Sequence, residues 1–143
     1  INVAHNTWAA IEEFCIKKGY HTFLSGMADG FDIIAAEEVL RLKKEYPYIR
    51  LKCVIQLKGQ ADRYTEADRQ RYNNILAQAD EVITLSETYF EGCFLRRNDY
   101  LLENSAFLMV YYDAIATVGG TFYTLKRAVE KKMKFANVCY NRK

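Results

Sequence analysis

The sequence is poor in the residues that build metal centres and disulfide frameworks. It has two histidines, one proline and four cysteines, which are Cys15, Cys53, Cys93 and Cys139. No two cysteines form a C-x-x-C pair, and neither His5 nor His21 stands at a zinc-like spacing from a cysteine. We therefore expect reduced thiols, no metal site and no cofactor.

Long apolar runs and an excess of one charge are also absent. No run is long enough to span a bilayer, so we expect a cytoplasmic protein with no membrane partner. The net charge of +2 over 143 residues is nearly neutral, so binding of a nucleic acid would require a local basic patch. The most basic stretch, Lys126 to Lys134, is interrupted by Glu130 and resembles an ordinary helix face. Half of the residues are hydrophobic, which predicts one globular domain over residues 1–143.

The most informative stretch is the glycine turn Ser25 to Asp32, which reads S-G-M-A-D-G-F-D. It follows the apolar run Thr22 to Leu24 and precedes a helical pattern that ends at Tyr46. Glycines allow close backbone approach to an anion, and a helix N-terminus presents N–H donors and partial positive charge. The spacing is not G-x-G-x-x-G, so the turn alone is a weak signal.

A second stretch, Asp113 to Thr121, has the same organisation. It follows the apolar run Phe107 to Tyr112 and opens a helix that ends at Lys132. Two strand–turn–helix units of this kind predict two glycine turns at one edge of a parallel sheet, where ligands bind in open α/β folds. The alternative is turn and capping chemistry alone, with Asp32 and Thr121 as plain helix caps.

The remaining pattern alternates helices with short apolar strands. It predicts an α/β fold, a three-layer sandwich with a mainly parallel sheet. The helices are predicted over Asn2 to Lys18, Phe31 to Tyr46, Thr65 to Ala79, Leu95 to Ser105 and Thr121 to Lys132. The strands are predicted over Tyr20 to Ser25, Ile49 to Leu57, Glu81 to Ser86, Phe107 to Tyr112 and Lys134 to Tyr140.

The motifs resemble those of the SLOG superfamily, which includes DprA (Smf) and the LOG phosphoribohydrolases. The resemblance to the superfamily as a whole rests on the first glycine turn and on Ala35-Ala36-Glu37, which follow it. The later elements are similar to the YpsA-like branch, of uncharacterised function, and comprise Arg71-Tyr72, Ala79-Asp80, Arg97-Asn98 and Gly119-Gly120-Thr121. The resemblance implies a Rossmann-like fold and a nucleotide-related ligand. It also implies an initial strand in the middle of the sheet, followed by a Gly-His-Arg segment, and this chain lacks both. Either such a strand precedes Ile1 in a longer protein, or the chain fills the gap in another way.

We take eleven residues as candidate ligand contacts, with the glycines cradling a phosphate and Arg97 and Asn98 supplying donors. They are Ser25, Gly26, Met27, Gly30, Asp32, Arg97, Asn98, Asp113, Gly119, Gly120 and Thr121. No catalytic residue is assigned. The expected partner is a nucleotide-derived small molecule of ADP-ribose type, bound by a sensing domain.

Two alternatives stay open. A LOG-type hydrolase would carry P-G-G-x-G-T-x-x-E, but Val118 replaces the proline here and no carboxylate follows Thr121 until Glu130. That absence argues against N-glycosidic hydrolysis, unless Asp32 or Glu37 contributes from the first turn. The other alternative, binding of single-stranded DNA by analogy with DprA, is ranked last.

The loop Tyr89 to Phe94 carries three aromatic side chains around Gly92. We expect this loop and the helix after it to be buried, and we favour burial at the interface of a homodimer.

Overall fold

The computed structural model describes residues 2–112 and 120–140, which form five helices and five strands joined in strict alternation. The helices are α1 (Val3–Phe14), α2 (Phe31–Glu45), α3 (Glu66–Gln78), α4 (Cys93–Glu103) and α5 (Gly120–Glu130). The strands are β1 (Thr22–Ser25), β2 (Arg50–Ile55), β3 (Glu81–Thr84), β4 (Phe107–Val110) and β5 (Lys134–Asn137). The predicted α/β class is confirmed, and Asp113 and Gly119 of the second turn lie outside the described residues.

The element ends follow local capping chemistry. Thr65 caps the N-terminus of α3, since its hydroxyl accepts the N–H of Asp68 at 3.1 Å. The first helix is shorter than predicted: it ends at Phe14, a single 3-10 turn follows, and Gly19 closes that turn at φ 93°. The last strand also stops early, at Asn137, whose side chain pairs with both backbone groups of Tyr112 at 3.0 and 2.8 Å.

The strands form two parallel sheets where the alternation predicts one. In the first sheet β2 lies between β1 and β3, and the second sheet contains β4 and β5. Every pairing is parallel, with Phe23 opposite Leu51, Val54 opposite Ile83 and Leu108 opposite Phe135. β1 and β4 are edge strands of the two sheets, and they face each other across a cavity that both of them line.

Aromatic contacts show that β1 and β4 run in the same direction. Near their amino ends, the rings of Tyr20 and Phe107 lie 5.9 Å apart. Beyond their carboxyl ends, the rings of Phe31 and Tyr111 lie 6.1 Å apart. The turn after β1 and Tyr111, which follows β4, are consequently at the same end of the molecule. Residues 113–119 of the second turn lie outside the described residues, so the placement of that turn stays a prediction.

The apolar core lies under the first sheet. α1 packs on α2 and α2 on α3, while α4 packs on α5 and reaches β2. Leu42, Ile49 and Leu51 are completely buried there, which removes their whole apolar surface from water. This core holds the strand ends, and hence the first glycine turn, in place.

The aromatic loop before α4 is exposed in the single chain. Tyr89 is 73% and Phe94 40% exposed, and the ring of Phe90 packs under the guanidinium of Arg96. Burial in a homodimer therefore stays a prediction that light scattering can check. Within residues 2–112 and 120–140, no helix combines the length and apolarity that crossing a bilayer requires.

Candidate functional site

Side chains of the turn after β1 accept two of the turn's own N–H groups. The Ser25 hydroxyl accepts the N–H of Met27 at 3.1 Å and donates to the carbonyl of Asp32 at 3.3 Å. The Asp32 carboxylate accepts the N–H of Ala28 at 3.2 Å. Two donors that we predicted for a phosphate are thus already used by side chains at the two ends of the turn. The N–H groups of Met27 and Ala28 therefore have intramolecular acceptors in this structure.

The carbonyl groups of the same turn are held from the other side by three side chains. The Gly26 carbonyl accepts from Arg97 Nη1 at 2.6 Å and from Gln60 Nε2 at 3.0 Å. The Met27 carbonyl accepts from Gln60 Nε2 at 3.0 Å and from the Tyr64 hydroxyl at 2.9 Å. Gln60 and Tyr64 lie between β2 and α3 in a polar loop that carries no recognisable motif, so sequence reasoning missed them.

Arg97 is the central side chain of the site and is 2% exposed. Its Nε donates to Asn98 Oδ1 at 3.0 Å, and its guanidinium lies 5.4 Å from the centre of the Phe94 ring. Burial lowers the pKa of Arg97, and the nearby carboxylate of Asp32 opposes that shift. The side chain stays charged because an arginine pKa is far above neutrality.

Gly26 is needed for Arg97 to reach the turn. A Cβ atom at Gly26 would lie 2.8 Å from Arg97 Nε and 2.9 Å from its Cζ, closer than side chains pack. The sequence predicts that this glycine makes room for a ligand, but in the structure it makes room for a buried guanidinium. Gly30 is different, since its φ of 99° at the start of α2 requires glycine while a Cβ there would meet nothing within 4 Å.

Two carboxylates border the turn in different environments. Asp32 is partly buried at the start of α2, and burial raises the pKa of its carboxyl group although Arg97 lies close. Asp29 is exposed, and a hydrogen bond with the carboxyl group of Asp68 raises the pKa of Asp29.

Arg71 also lies near this turn, but its guanidinium is used in an ion pair within the fold. It forms a two-pronged ion pair with Glu37, at 2.9 Å from Nε and 2.6 Å from Nη2. Tyr72 beside it is buried and meets the ring of Tyr64 edge-on at 5.7 Å. These two motif residues therefore join α2 to α3 and support the loop that holds the turn.

A cavity of about 470 Å³ lies between β1 and β4 and extends beyond their carboxyl ends, where Asp32 and Thr121 line it. Six of the predicted ligand residues line it, namely Ser25, Gly26, Asp32, Arg97, Asn98 and Thr121. The other two predicted residues of the first turn do not: Met27 is completely buried and Gly30 stands at the helix start. α5 begins at Gly120, and its second residue, Thr121, brings the second strand–turn–helix unit to the same cavity.

Two buried side chains in the cavity wall keep unused donors. Arg97 Nη2 and Asn98 Nδ2 form no hydrogen bond within the part of the chain that the structure describes. Asn98 as a residue is 7% exposed and Arg97 is 2% exposed. An acceptor atom inside the cavity would bond to these two donors.

The described residues offer no alternative centre for metal chemistry. Among positions 2–112 and 120–140, no three His, Cys, Asp or Glu side chains are grouped as metal ligands. Burial raises the pKa of the Cys15 thiol to about 11 and that of Cys53 to about 12, which makes both poor nucleophiles.

Comparison with known proteins places the chain in a family. The family model described as the YspA SLOG family (YpsA) matches residues 9–140. The chain belongs to this family. The resemblance of its glycine turns to SLOG proteins, the YpsA-like branch in particular, is thereby confirmed.

Curated relatives carry the family designation UPF0398, and their names state no activity. A UPF0398 protein of Halalkalibacterium halodurans is 36% identical over 100 residues, which cover 68% of this chain and 53% of the relative. One of Brevibacillus brevis is 34% identical over 86 residues, or 59% and 46% of the two chains. One of Bacillus velezensis is 28% identical over 119 residues, or 82% and 65%. The chain spans about half the length of the curated relatives that it matches first.

Proposed function

We propose that this protein is a binding domain for a nucleotide derivative of ADP-ribose type, which lies beyond the carboxyl ends of β1 and β4. The observation that carries the proposal is the pair of unused donors on the side chains of Arg97 and Asn98, two cavity-lining residues that are more than nine-tenths buried as whole residues. A guanidinium beside an amide suits the oxygens of a phosphate or a base.

The carboxylates of Asp29 and Asp32 favour one position for the ribose of the ligand. Asp32 lines the cavity, and Asp29 stands at its rim. Two acidic groups disfavour a phosphate against the first turn, while a carboxylate oxygen accepts readily from a sugar hydroxyl. We therefore place the ribose near the first turn and the phosphate toward Arg97 and the start of α5.

The start of α5 completes the proposed phosphate contact. Thr121 lines the cavity and belongs to the first turn of that helix. Helix N-termini favour anions through their N–H groups and partial positive charge. The hydroxyl of Thr121 adds a further donor at the same end.

Binding without rapid turnover is favoured over hydrolysis. After Thr121 the first carboxylate is Glu130, at the opposite end of α5, where it lies 3.8 Å from Arg127. It cannot act on a ligand at the N-terminus of α5, because eleven helical residues span about 16 Å. The hydrolase alternative rests on Asp32, whose raised pKa and place in the cavity are those of a general acid.

Titration calorimetry with AMP, ADP-ribose, NAD and cyclic nucleotides tests the binding proposal. At least one compound should bind, and a thermal shift should accompany saturation, since a hundredfold excess over Kd stabilises by about 2.7 kcal/mol. No heat with any of them would reject the nucleotide proposal. Release of free base from nucleoside monophosphates, detected by chromatography, would establish the hydrolase instead.

A matched pair of conservative variants locates the site. Arg97→Lys keeps the charge but loses the planar fork, and we expect the affinity to fall about tenfold or more. Arg96→Lys changes the neighbouring exposed residue, which donates to the Leu85 carbonyl away from the cavity, and should leave the affinity unchanged. Equal losses in the two variants would place the ligand elsewhere.

A further inference from the structure

Phe94 is an exposed aromatic side chain in the wall of the cavity. It is the second residue of α4 and is 40% exposed, although it lines the same cavity as Arg97 and Asn98. Single exposed apolar side chains are common on protein surfaces and need no explanation by themselves. The position of this one is informative, because it stands beside the two buried residues whose side chains keep unused donors.

The buried guanidinium holds the Phe94 ring in place. Arg97 follows Phe94 by about one helical turn, so the two side chains are neighbours on the surface of α4. Arg97 Cζ lies 5.4 Å from the centre of the ring, a favourable contact between a positive charge and an aromatic face. The exposed part of the ring therefore has a defined position relative to the donors of Arg97, and it is available to a planar group that enters the cavity.

The other aromatic side chains at this end of the cavity already contact each other. Phe31 and Tyr111 both line it, and their rings lie 6.1 Å apart with a tilt of 34°. Both residues are partly buried. Of the described aromatic residues that line the cavity, Phe94 is the most exposed, and its ring contacts no other aromatic ring within the described part of the chain.

A donor pair beside an open aromatic ring matches two parts of one nucleotide. The phosphate accepts from a guanidinium and an amide, as proposed above for Arg97 and Asn98. The base is attached to the same ribose as the phosphate, so it lies within reach of a neighbouring side chain. Every nucleobase has a flat π-face that stacks on aromatic side chains, whatever its hydrogen-bonding groups. A phenyl ring offers no donor or acceptor, and it therefore selects for the presence of a base and not for its identity.

We propose that Phe94 is the platform on which the base of the bound nucleotide stacks, so that this site selects ligands with an aromatic base over plain sugar phosphates. The inference rests on the proposed nucleotide-binding function and adds to it the class of ligand that the site prefers. The phosphate and the base are then recognised by two side chains of one helix, Arg97 and Phe94, which also contact each other.

Phe90 is a matched control for Phe94. It is 37% exposed and also packs under an arginine, with Arg96 Cζ 5.9 Å from the centre of its ring. The two phenylalanines differ in their location, because Phe94 lines the cavity whereas Phe90 and Arg96 do not. The same substitution at both positions therefore removes a similar contact between a ring and an arginine, but it changes the cavity wall in one case only.

Titration calorimetry with AMP, ADP-ribose, NAD and cyclic AMP, on the wild-type chain and three variants, tests the proposal. Phe94→Leu should weaken the tightest of these nucleotides by about tenfold, through loss of the base–aromatic stack. Phe90→Leu should leave its affinity unchanged, and Phe94→Tyr, which keeps a ring, should retain most of it. Ribose 5-phosphate lacks the base, so in competition with that nucleotide it should bind at least about tenfold more weakly, and equally to the wild type and Phe94→Leu.

Four results would overturn the inference. If none of the four nucleotides binds, the proposed function fails and the stacking role fails with it. If a nucleotide binds but the two leucine variants behave alike, or ribose 5-phosphate binds as tightly, the proposed function stands and the stacking role is wrong. An equal loss for ribose 5-phosphate and the nucleotide in Phe94→Leu would show that the ring only supports Arg97. A loss that disappears as the protein concentration rises would assign Phe94 to a contact between two copies of the chain.

Discussion

The three-stranded and the two-stranded sheets differ in how completely they are packed. The core under β1, β2 and β3 contains side chains with no exposed surface, among them Leu42 and Leu51. On the other side, Phe135 of β5 is 43% exposed and Val129 of α5 is 56% exposed. The first half of the candidate site therefore stands on a rigid base, whereas the half that carries Thr121 rests on fewer buried contacts.

The polar contacts of the site also hold the first turn firmly. Three side chains from two other elements fix the carbonyls of the first turn, and Ser25 and Asp32 fix its N–H groups. Such a turn needs no rearrangement before a ligand binds, which lowers the cost of binding. We expect most of any ligand-induced change to occur at the α5 side.

The largest expected effect comes from removing core volume on the two sides. Leu42→Ala should lower the free energy of unfolding by about 2–5 kcal/mol, since it leaves a cavity in a fully packed region. Val129→Ala, at a half-exposed position, should cost less than about 1 kcal/mol. Urea denaturation measures both. Equal losses would show that the two halves are packed alike.

The next effect concerns the contact between Arg97 and Gly26. Arg97→Ala should destabilise the fold by about 3 kcal/mol, because it removes a buried charge near Asp32 and a donor to the Gly26 carbonyl. Gly26→Ala should cost about 1–3 kcal/mol through overpacking against the guanidinium.

A double-mutant cycle sharpens that prediction. In the Arg97→Ala background the obstruction to a Cβ at Gly26 is gone, so Gly26→Ala should cost at least about 1 kcal/mol less there. Chemical denaturation of the four proteins gives the coupling energy. Strict additivity would mean that Gly26 is required for some reason other than the approach of Arg97.

A smaller effect is expected from Asp80, which joins β2 to α2. Its carboxylate accepts from Lys43 Nζ at 2.6 Å and from the Leu51 N–H at 2.8 Å, and the bond from Lys43 is the main cause that lowers the pKa of Asp80. Asp80→Asn should cost about 1.5–3 kcal/mol at neutral pH. The adjacent Glu81→Gln should cost much less, because Glu81 is 54% exposed and lies 3.5 Å from Lys52.

The pH dependence of the Asp80 variant follows from the sign of the shift. A carboxyl group whose pKa is lower in the folded than in the unfolded chain stabilises the fold above its unfolded pKa, about 3.9 for aspartate. That stabilisation is lost as the pH falls through the lower folded pKa. The difference between the two proteins should therefore shrink in acid, and a constant difference from neutral pH to strong acid would contradict the assignment.

The smallest expected effect comes from the Tyr64 hydroxyl. Tyr64→Phe removes one donor to the Met27 carbonyl, which keeps its bond from Gln60, so the loss should be about 1 kcal/mol. Tyr72→Phe is the control, because the structure gives the hydroxyl of that buried ring no hydrogen-bond partner among the described residues. A larger loss in the Tyr72 variant, measured by thermal unfolding, would reverse the expected order.

The alternation of elements and the two strand–turn–helix units were readable from periodicity and turn chemistry. These signals are local, since apolar spacing sets each element and glycine allows each corner. Six of the predicted residues line one cavity, among them Arg97 and Asn98, and their contact with a ligand stays a prediction. They could not identify Gln60 and Tyr64, because a bond from a loop to a turn about 34 residues away leaves no periodic pattern.

The sequence by itself determined the α/β class, the family and the identity of the chemical groups near the site. Only the tertiary structure decided that Gly26 accommodates Arg97, that Asp32 and Ser25 occupy the turn's own N–H groups, and that the strands form two sheets. The physical reason is that short-range preferences depend on neighbouring residues. Burial, partner choice and strand neighbours depend instead on segments that are distant in the chain and meet only when it folds.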